Sequence, residues 1–119
     1  MKLRMFLIIV LLLAGCVKKE EKKLVFAFVP KLLDNPVFQV AWEGALGAAK
    51  DFGAGKFEVQ RFAPVKSDAI EQAQIIESLI EKKVDGIAIS VNDADALTES
   101  INKAMDAGIP VVTFDSDAP

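Results

Sequence analysis

Polar residues follow three of the short apolar runs in this sequence, and their types suit a neutral polar ligand. Lys31 and Asn35 come after the first run, Ser90 follows a later one, and Asp115 follows the last. Sugar hydroxyls donate hydrogen bonds to carboxylates and accept them from amides and ammonium groups, while sugar C–H faces pack on aromatic rings. The pattern therefore indicates a sugar site. The candidate ligand-binding residues are Lys31, Asn35, Phe38, Ser90, Asp115 and Ser116.

Each of these residues also has a purely structural interpretation. Asn35 precedes a proline, where asparagine often forms a turn. Phe38 is equally suited to a hydrophobic core, Asp115 to the end of a strand, and Lys31 to a solvated loop. The residue types alone leave both interpretations open.

A phosphatase is the main alternative chemistry. Asp115 and Asp117 follow an apolar run and resemble the Asp-x-Asp strand of haloacid-dehalogenase-type phosphatases, in which the first aspartate attacks phosphorus beside Mg²⁺. Pro119 stands where that motif usually has threonine or valine, so we favour a binding protein with no catalytic residues, cofactor or metal. The chain has no histidine, which excludes a Ser-His-Asp triad and a zinc–histidine site.

Four short runs predict the strands that position these residues. Residues 24–29 are continuously apolar and are stopped by Pro30, which favours a strand buried on both faces. Residues 56–62 alternate between apolar and polar, which is typical of a half-exposed strand at a sheet edge. The other two predicted strands are residues 87–89 and 110–114.

Three segments with helical spacing separate the strands. Serine and aspartate side chains accept hydrogen bonds from free N–H groups at helix starts, and glycine often follows a helix end. The candidate caps are Ser67 or Asp68 for the second helix and Asp93 or Asp95 for the third, and the residues that end helices are Gly53, Gly55 and Gly108. The predicted apolar stripes are Val37, Val40, Ala41, Gly44, Ala45 and Ala48; then Ala69, Ala73, Ile76 and Ile80; then Leu97, Ile101, Ala104 and Ala107.

This order of elements, βαβαβαβ, predicts an α/β fold. Repeated βα units with short connections form a parallel sheet with helices on both faces and right-handed crossovers. In such sheets ligands bind beyond the carboxyl ends of the strands. The candidate ligand-binding residues follow three of those ends, so the predicted fold brings them to one edge of the sheet.

The N-terminus has the pattern of an export signal. Lys2 and Arg4 precede residues 6–13, an unbroken apolar run that is too short to span a bilayer. Residues 13–16, Leu-Ala-Gly-Cys, resemble a bacterial lipobox, in which the signal is cut before Cys16 and the cysteine is lipidated; the alternative is an ordinary signal with an unrelated cysteine. We expect a lipoprotein signal peptide at 1–15, a lipidated cysteine and charged tether at 16–23, and a folded part at 24–119 that is exported to the periplasm or cell surface and held at a membrane by the lipid.

The charge balance argues against a nucleic-acid partner. The formal net charge of the whole chain is −3, and residues 1–15 contain two basic residues and no acidic ones. Removing them leaves 12 basic and 17 acidic residues, a net charge of −5. An acidic exported chain lacks the positive surface that phosphate binding requires.

Residues 24–119 resemble the ribose-type (type I) periplasmic binding proteins. The resemblance is carried by residues 35–38 (Asn-Pro-Val-Phe), 84–87 (Val-Asp-Gly-Ile) and 107–115 (Ala-Gly-Ile-Pro-Val-Val-Thr-Phe-Asp). It implies sugar contacts from Asn35, Phe38 and Asp115, and from the polar residue at Ser90. Ser116 replaces the arginine of ribose binders, which argues against ribose itself. Residues 29–31 and 115–117 look more like the branch that binds rhamnose or furanosyl signalling molecules, whose members use the lysine at position 31.

The resemblance also implies an architecture and partners. The family fold has two similar lobes that trap the ligand between them, and residues 24–119 correspond to most of the N-terminal lobe. The implied partner is a membrane permease of an ABC importer; a signalling receptor that senses the ligand is the alternative. A repressor of the same fold would need a DNA-binding helix-turn-helix where this chain has a signal peptide, which excludes that reading.

Overall fold

The computed structural model describes residues 21–119 as a four-stranded parallel sheet with three helices. The elements are β1 (Leu24–Val29), α1 (Pro36–Gly53), β2 (Phe57–Arg61), α2 (Ala69–Lys82), β3 (Gly86–Ile89), α3 (Ala94–Asp106) and β4 (Val111–Thr113). The strand order is β2-β1-β3-β4, and every neighbouring pair is parallel. The predicted α/β fold is confirmed, with β2 at an edge. The signal peptide, Cys16 and tether residues 16–20 lie outside the described residues.

Alternate residues of β1 face two different layers of helices. Ala27 and Val29 lie in the main core cluster, which includes Leu79 of α2 and Leu97 of α3. Phe28 points to the other face, where its ring lies 5.7 Å from that of Trp42 on α1. Helices therefore lie on both faces of the sheet, as the βα order predicts.

Aspartates begin two of the helices. Asp68 accepts from the N–H groups of Ile70 and Glu71, and Asp93 accepts from that of Ala96. Of the paired candidates, Ser67 and Asp95 are not the caps. The turn after α3 needs a left-handed backbone, which Gly108 adopts with φ of 82°.

The predicted apolar stripe of α1 is wrong at four of its six positions, whereas Ala41 and Ala45 are half-buried. Val37 and Val40 are 65% and 71% exposed, and Gly44 and Ala48 are also exposed. The buried residue in the first turn is Phe38. Small residues occur all around this helix, so spacing alone does not define its inner face; the large rings of Phe38 and Trp42 define it instead. Ala107, predicted to be buried in α3, is exposed and lies beyond the last helical residue.

An apolar groove remains open beside α1. This helix packs against β2 and, through Trp42, against β1, which leaves the β3 and β4 half of the same sheet face bare. The groove has a volume of about 410 Å³. Its lining includes Phe26, Ala88 and Val112 from the sheet and Ala48 and Phe52 from α1. Within residues 21–119 nothing covers Val112, which is 61% exposed, whereas parallel sheets are normally buried on both faces.

Candidate functional site

The backbone ladder brings the ends of β1, β3 and β4 together. Beyond the strands, Ser90 N–H donates to Val29 O at 2.9 Å, and Phe114 N–H donates to Ile89 O at 3.0 Å. The loops that start at Pro30, Ser90 and Asp115 consequently leave the sheet side by side. This is the edge at which an open parallel sheet binds its ligands.

Three of the predicted residues meet at the Asp115 carboxylate. Ser90 Oγ donates to Asp115 Oδ2 at 2.8 Å, and Lys31 Nζ lies 3.4 Å from the same oxygen. Ser90 is fully buried, whereas the side chains of Lys31 and Asp115 are 30% and 44% exposed. The cluster therefore has a buried hydroxyl group, that of Ser90, and two charged groups that a ligand can reach.

The hydrogen bond from Ser90 holds the pKa of Asp115 below its ordinary value. Partial desolvation of the carboxyl group opposes this shift, and the hydrogen bond and positive charge of Lys31 reinforce it. Asp115 is thus a carboxylate over the physiological pH range and acts as a hydrogen-bond acceptor.

Asp115 lies in a tight turn, and the hydrogen-bonding groups of Ser116 are used within that turn and its neighbouring loop. Asp115 has φ of 63°, in the left-handed region that residues other than glycine seldom adopt, and Ser116 N–H donates to Phe114 O across it at 2.7 Å. Ser116 Oγ donates to Val91 O at 2.7 Å, and Val91 N–H donates to Ser116 O at 3.3 Å. Ser116 braces the turn against the loop after β3, and its contact with a ligand stays a prediction.

Asn35 and Phe38 lie at the start of α1 and have structural partners. Asn35 is the helix cap, because its Oδ1 accepts from Val37 N–H at 2.9 Å. Phe38 is 5% exposed and packs edge-on against Phe114, with ring centroids 6.3 Å apart. Phe38 is therefore a core residue that lies beside the end of β4. Ligand contacts from Asn35 and Phe38 stay predictions.

Three polar residues of this edge were not among the predicted site residues. Asn92 donates through Nδ2 to Lys31 O at 2.9 Å, and the fully buried Gln72 donates through Nε2 to Ser90 O at 2.8 Å. Arg61, at the end of β2, donates to Leu33 O and to the Gln39 side chain. A glutamine within the apolar stripe of α2 was the available signal for Gln72, and position after a strand was the signal for Asn92. Arg61 lies within β2 and within the predicted strand 56–62, where no such signal marks it.

The described residues also bear on metal binding and on membrane spanning. Within residues 21–119, no three His, Cys, Asp or Glu side chains are grouped so that they could hold a metal ion. None of the helices in the described part of the chain is long and apolar enough to cross a membrane.

The described residues thus form an α/β unit, a parallel sheet with polar side chains gathered at its carboxyl edge. The chain belongs to the periplasmic binding protein domain family, whose family model matches residues 26–119. This confirms the family that the sequence resembles.

Relatives with assigned functions agree with this family. The chain is 36% identical over 91 residues to a D-ribose/D-allose-binding protein of Pseudomonas aeruginosa, covering 76% of this chain and 28% of that protein. It is 29% identical over 99 residues to a ribose import binding protein of Bacillus subtilis, covering 83% and 31%. The chain thus spans about three tenths of the length of these relatives.

Solved structures show the same fold. A solute-binding protein of an ABC transporter from Burkholderia graminis, in complex with D-arabinose, is 38% identical with a TM-score of 0.76, over 85% of this chain and 34% of that one. LsrB from Clostridium saccharobutylicum, in complex with AI-2, is 29% identical with a TM-score of 0.75, over 80% and 28%.

We predict that Ser90→Ala raises the pKa of Asp115, because the Ser90 hydroxyl is the main cause of its depression. A carboxyl group with a depressed pKa stabilises the folded state above its unfolded pKa of about 3.9, and this contribution disappears as the pH falls through the lower folded value. The variant should therefore lose stability near neutral pH and little at very low pH.

The measurement is a titration of the Asp115 carboxyl ¹³C resonance. Ser100→Ala is the matched control, because Ser100 is also a buried serine but lies on α3. Superimposable Asp115 titration curves for wild type and Ser90→Ala would contradict the assignment.

Proposed function

We propose that this protein is a sugar-binding receptor that delivers a small carbohydrate to an ABC importer. The observation that carries the proposal is the contact of Lys31 and Ser90 with Asp115 at the carboxyl edge of the sheet, in a chain of this family. Support comes from the relatives, whose names state ribose, allose and arabinose.

The cluster is suited to a neutral or weakly acidic sugar. Asp115 accepts from hydroxyl groups, and Lys31 donates to hydroxyl or carbonyl oxygens. These two charges already neutralise each other, so a polar ligand that hydrogen-bonds to both need not bring a charge of its own. Hydrogen bonds to charged groups are about twice as strong as those between neutral ones. The half-buried ring of Phe114 lies next to this edge and offers an apolar surface, with the buried ring of Phe38 packed against it.

We also propose that residues 24–119 form most of the N-terminal lobe of a longer two-lobe receptor. The coverage of the relatives, about three tenths of their length, supports this, and so does the uncovered apolar groove beside α1. A further segment of the same protein, packed on β3 and β4, would bury Val112 and Phe52 and complete the sheet.

Export and membrane attachment form the third part of the proposal. The signal-like residues 1–15 and the following Leu-Ala-Gly-Cys pattern at 13–16 support a lipoprotein anchored through Cys16. A lipid anchor keeps a soluble receptor near a membrane permease. Neighbouring genes for a permease and an ATPase would support transport, and a neighbouring kinase or chemoreceptor gene would support sensing instead.

In the full-length receptor, Asp115→Ala should weaken sugar binding by tenfold or more. Removing the carboxylate deletes a charged hydrogen-bond acceptor and leaves Lys31 unpaired, a loss of about 1.5–3 kcal/mol. Calorimetry with D-allose and D-arabinose measures the effect. Asp106→Ala is the matched control, because Asp106 ends α3 at the opposite edge of the sheet and should leave the affinity unchanged. An unaltered affinity for Asp115→Ala would remove this residue from the site.

If residues 24–119 are part of a larger two-lobe protein, two similar substitutions should lower the free energy of unfolding by different amounts. Val112 and Val40 are 61% and 71% exposed within the described chain, but only Val112 lies in the groove. In the full-length protein, Val112→Lys should lower the free energy of unfolding by about 1–3 kcal/mol, because it places a charge under the covering segment, and Val40→Lys by less than about 0.5 kcal/mol. Urea unfolding gives both values. Equal costs would mean that the groove stays open to water.

Lipidation predicts that Cys16 is labelled when the gene is expressed in a bacterium with radioactive palmitate. The cysteine thiol is the acceptor in the lipobox pattern, and Cys16 is the only cysteine of the chain. Cys16→Ser should abolish the label. Equal incorporation into wild type and variant would show that the cysteine is unrelated to the signal.

A further inference from the structure

A buried amide lies behind the cluster at Asp115. Gln72 is fully buried in α2, on the side that faces the sheet. Its Nε2 donates to Ser90 O at 2.8 Å and to Pro30 O at 3.3 Å, and its Oε1 accepts from Asn92 N–H at 2.9 Å. One side chain thus binds the backbone just after β1 and at two positions just after β3.

Asn92 extends these contacts to the residue that carries the ammonium group. Its Nδ2 donates to Lys31 O at 2.9 Å, and its Oδ1 accepts from Ser67 Oγ. The sheet ladder between β1 and β3 ends with the bond from Ser90 N–H to Val29 O. Beyond the end of this ladder, the loop that contains Lys31 is joined to the loop that contains Ser90 by hydrogen bonds from the Gln72 and Asn92 side chains, within the described residues.

We propose that Gln72 and Asn92 are positioning residues, which fix the backbone of Lys31 and Ser90 so that both side chains reach Asp115 Oδ2. The role of this network in ligand binding rests on the proposed sugar-binding function. The chemistry requires an amide at position 72, because the side chain must donate to two carbonyls and accept from one N–H. A glutamate lacks the donors, and a methionine of similar size has no donor and only a weak sulfur acceptor.

The proposal differs from a role in stability alone. Leaving buried carbonyls unpaired destabilises a protein wherever they lie. A positioning residue has an additional effect, because its loss separates Lys31 and Ser90 from Asp115 and changes the properties of that carboxyl group. The network therefore predicts a change at Asp115 from substitutions that do not touch Asp115.

The experiment compares Gln72→Met with Asp85→Asn in the full-length receptor. Asp85 is the matched control because its Oδ2 accepts from Val25 N–H at 2.8 Å, a side-chain bond to the same pair of strands at their opposite ends. In the ligand-free protein, Gln72→Met should move the pKa of Asp115 up towards its ordinary value in a carboxyl ¹³C titration. Asp85→Asn should leave that pKa unchanged, whatever its effect on stability.

Sugar affinity gives the second measurement. With D-allose and D-arabinose as probes, Gln72→Met should weaken binding by tenfold or more, and Asp85→Asn should stay within twofold of wild type. Gln72→Glu should weaken sugar binding as Gln72→Met does. If position 72 does not tolerate substitution, Asn92→Ala, at a half-buried loop position, should produce the same changes to a smaller extent.

The outcomes separate this proposal from the function on which it rests. An Asp115 pKa that is the same in wild type, Gln72→Met and Asn92→Ala would overturn the positioning role, as would equal shifts for Gln72→Met and Asp85→Asn. A wild-type protein that binds neither sugar would contradict the sugar-binding function for these probes. The titration would still decide whether Gln72 and Asn92 position the cluster.

Discussion

The pairing of β3 with β1 on one side and β4 on the other is the constraint on which the candidate site depends. Lys31, Ser90 and Asp115 are separated by 25 residues or more along the chain, and they meet because three parallel strands end at one edge. Each of these strands is short, with three to six residues, so the pairing is supported by what lies around it. Leu79 and Leu97, both fully buried, pack under the sheet and make slippage of β3 costly, since a shift of one residue would turn its apolar side chains away from the core.

The different exposures of Ser90, Lys31 and Asp115 determine how the cluster can interact with a ligand. Ser90 is buried and donates to Asp115, so the carboxylate is oriented and kept ionised without a ligand. Lys31 is on the solvent side, and its contact with Asp115 is a weak one in water because the two charges are partly hydrated. A ligand can therefore replace water around Lys31 and Asp115 without first breaking a buried ion pair, which would cost several kcal/mol.

Much of the fold could be predicted because its signals are local. The stop at Pro30, the caps Asp68 and Asp93, and the glycine at 108 each act within a few residues of their own position. The face of α1 could not be predicted from spacing, since small residues surround the helix and Phe38 and Trp42 select the buried side only through tertiary packing. Gln72 was missed for a related reason. From sequence alone, a glutamine is expected to be exposed to solvent. Its burial here is favourable because the sheet brings three backbone hydrogen-bond partners to it.

The site and the sheet differ in how far contacts among residues 21–119 bury and connect them. The loops at the carboxyl edge are joined by hydrogen bonds among these residues, so the arrangement of Lys31, Ser90 and Asp115 is specified locally. Burial of the sheet is not, since the groove at Val112 stays open to water. The same distinction applies to affinity. Coulomb and hydrogen-bond energies at Lys31 and Asp115 increase when water is removed, and both side chains are partly exposed. In the proposed two-lobe receptor, residues 21–119 therefore supply the groups that a ligand meets, while the strength of binding depends on the surface that closes over them.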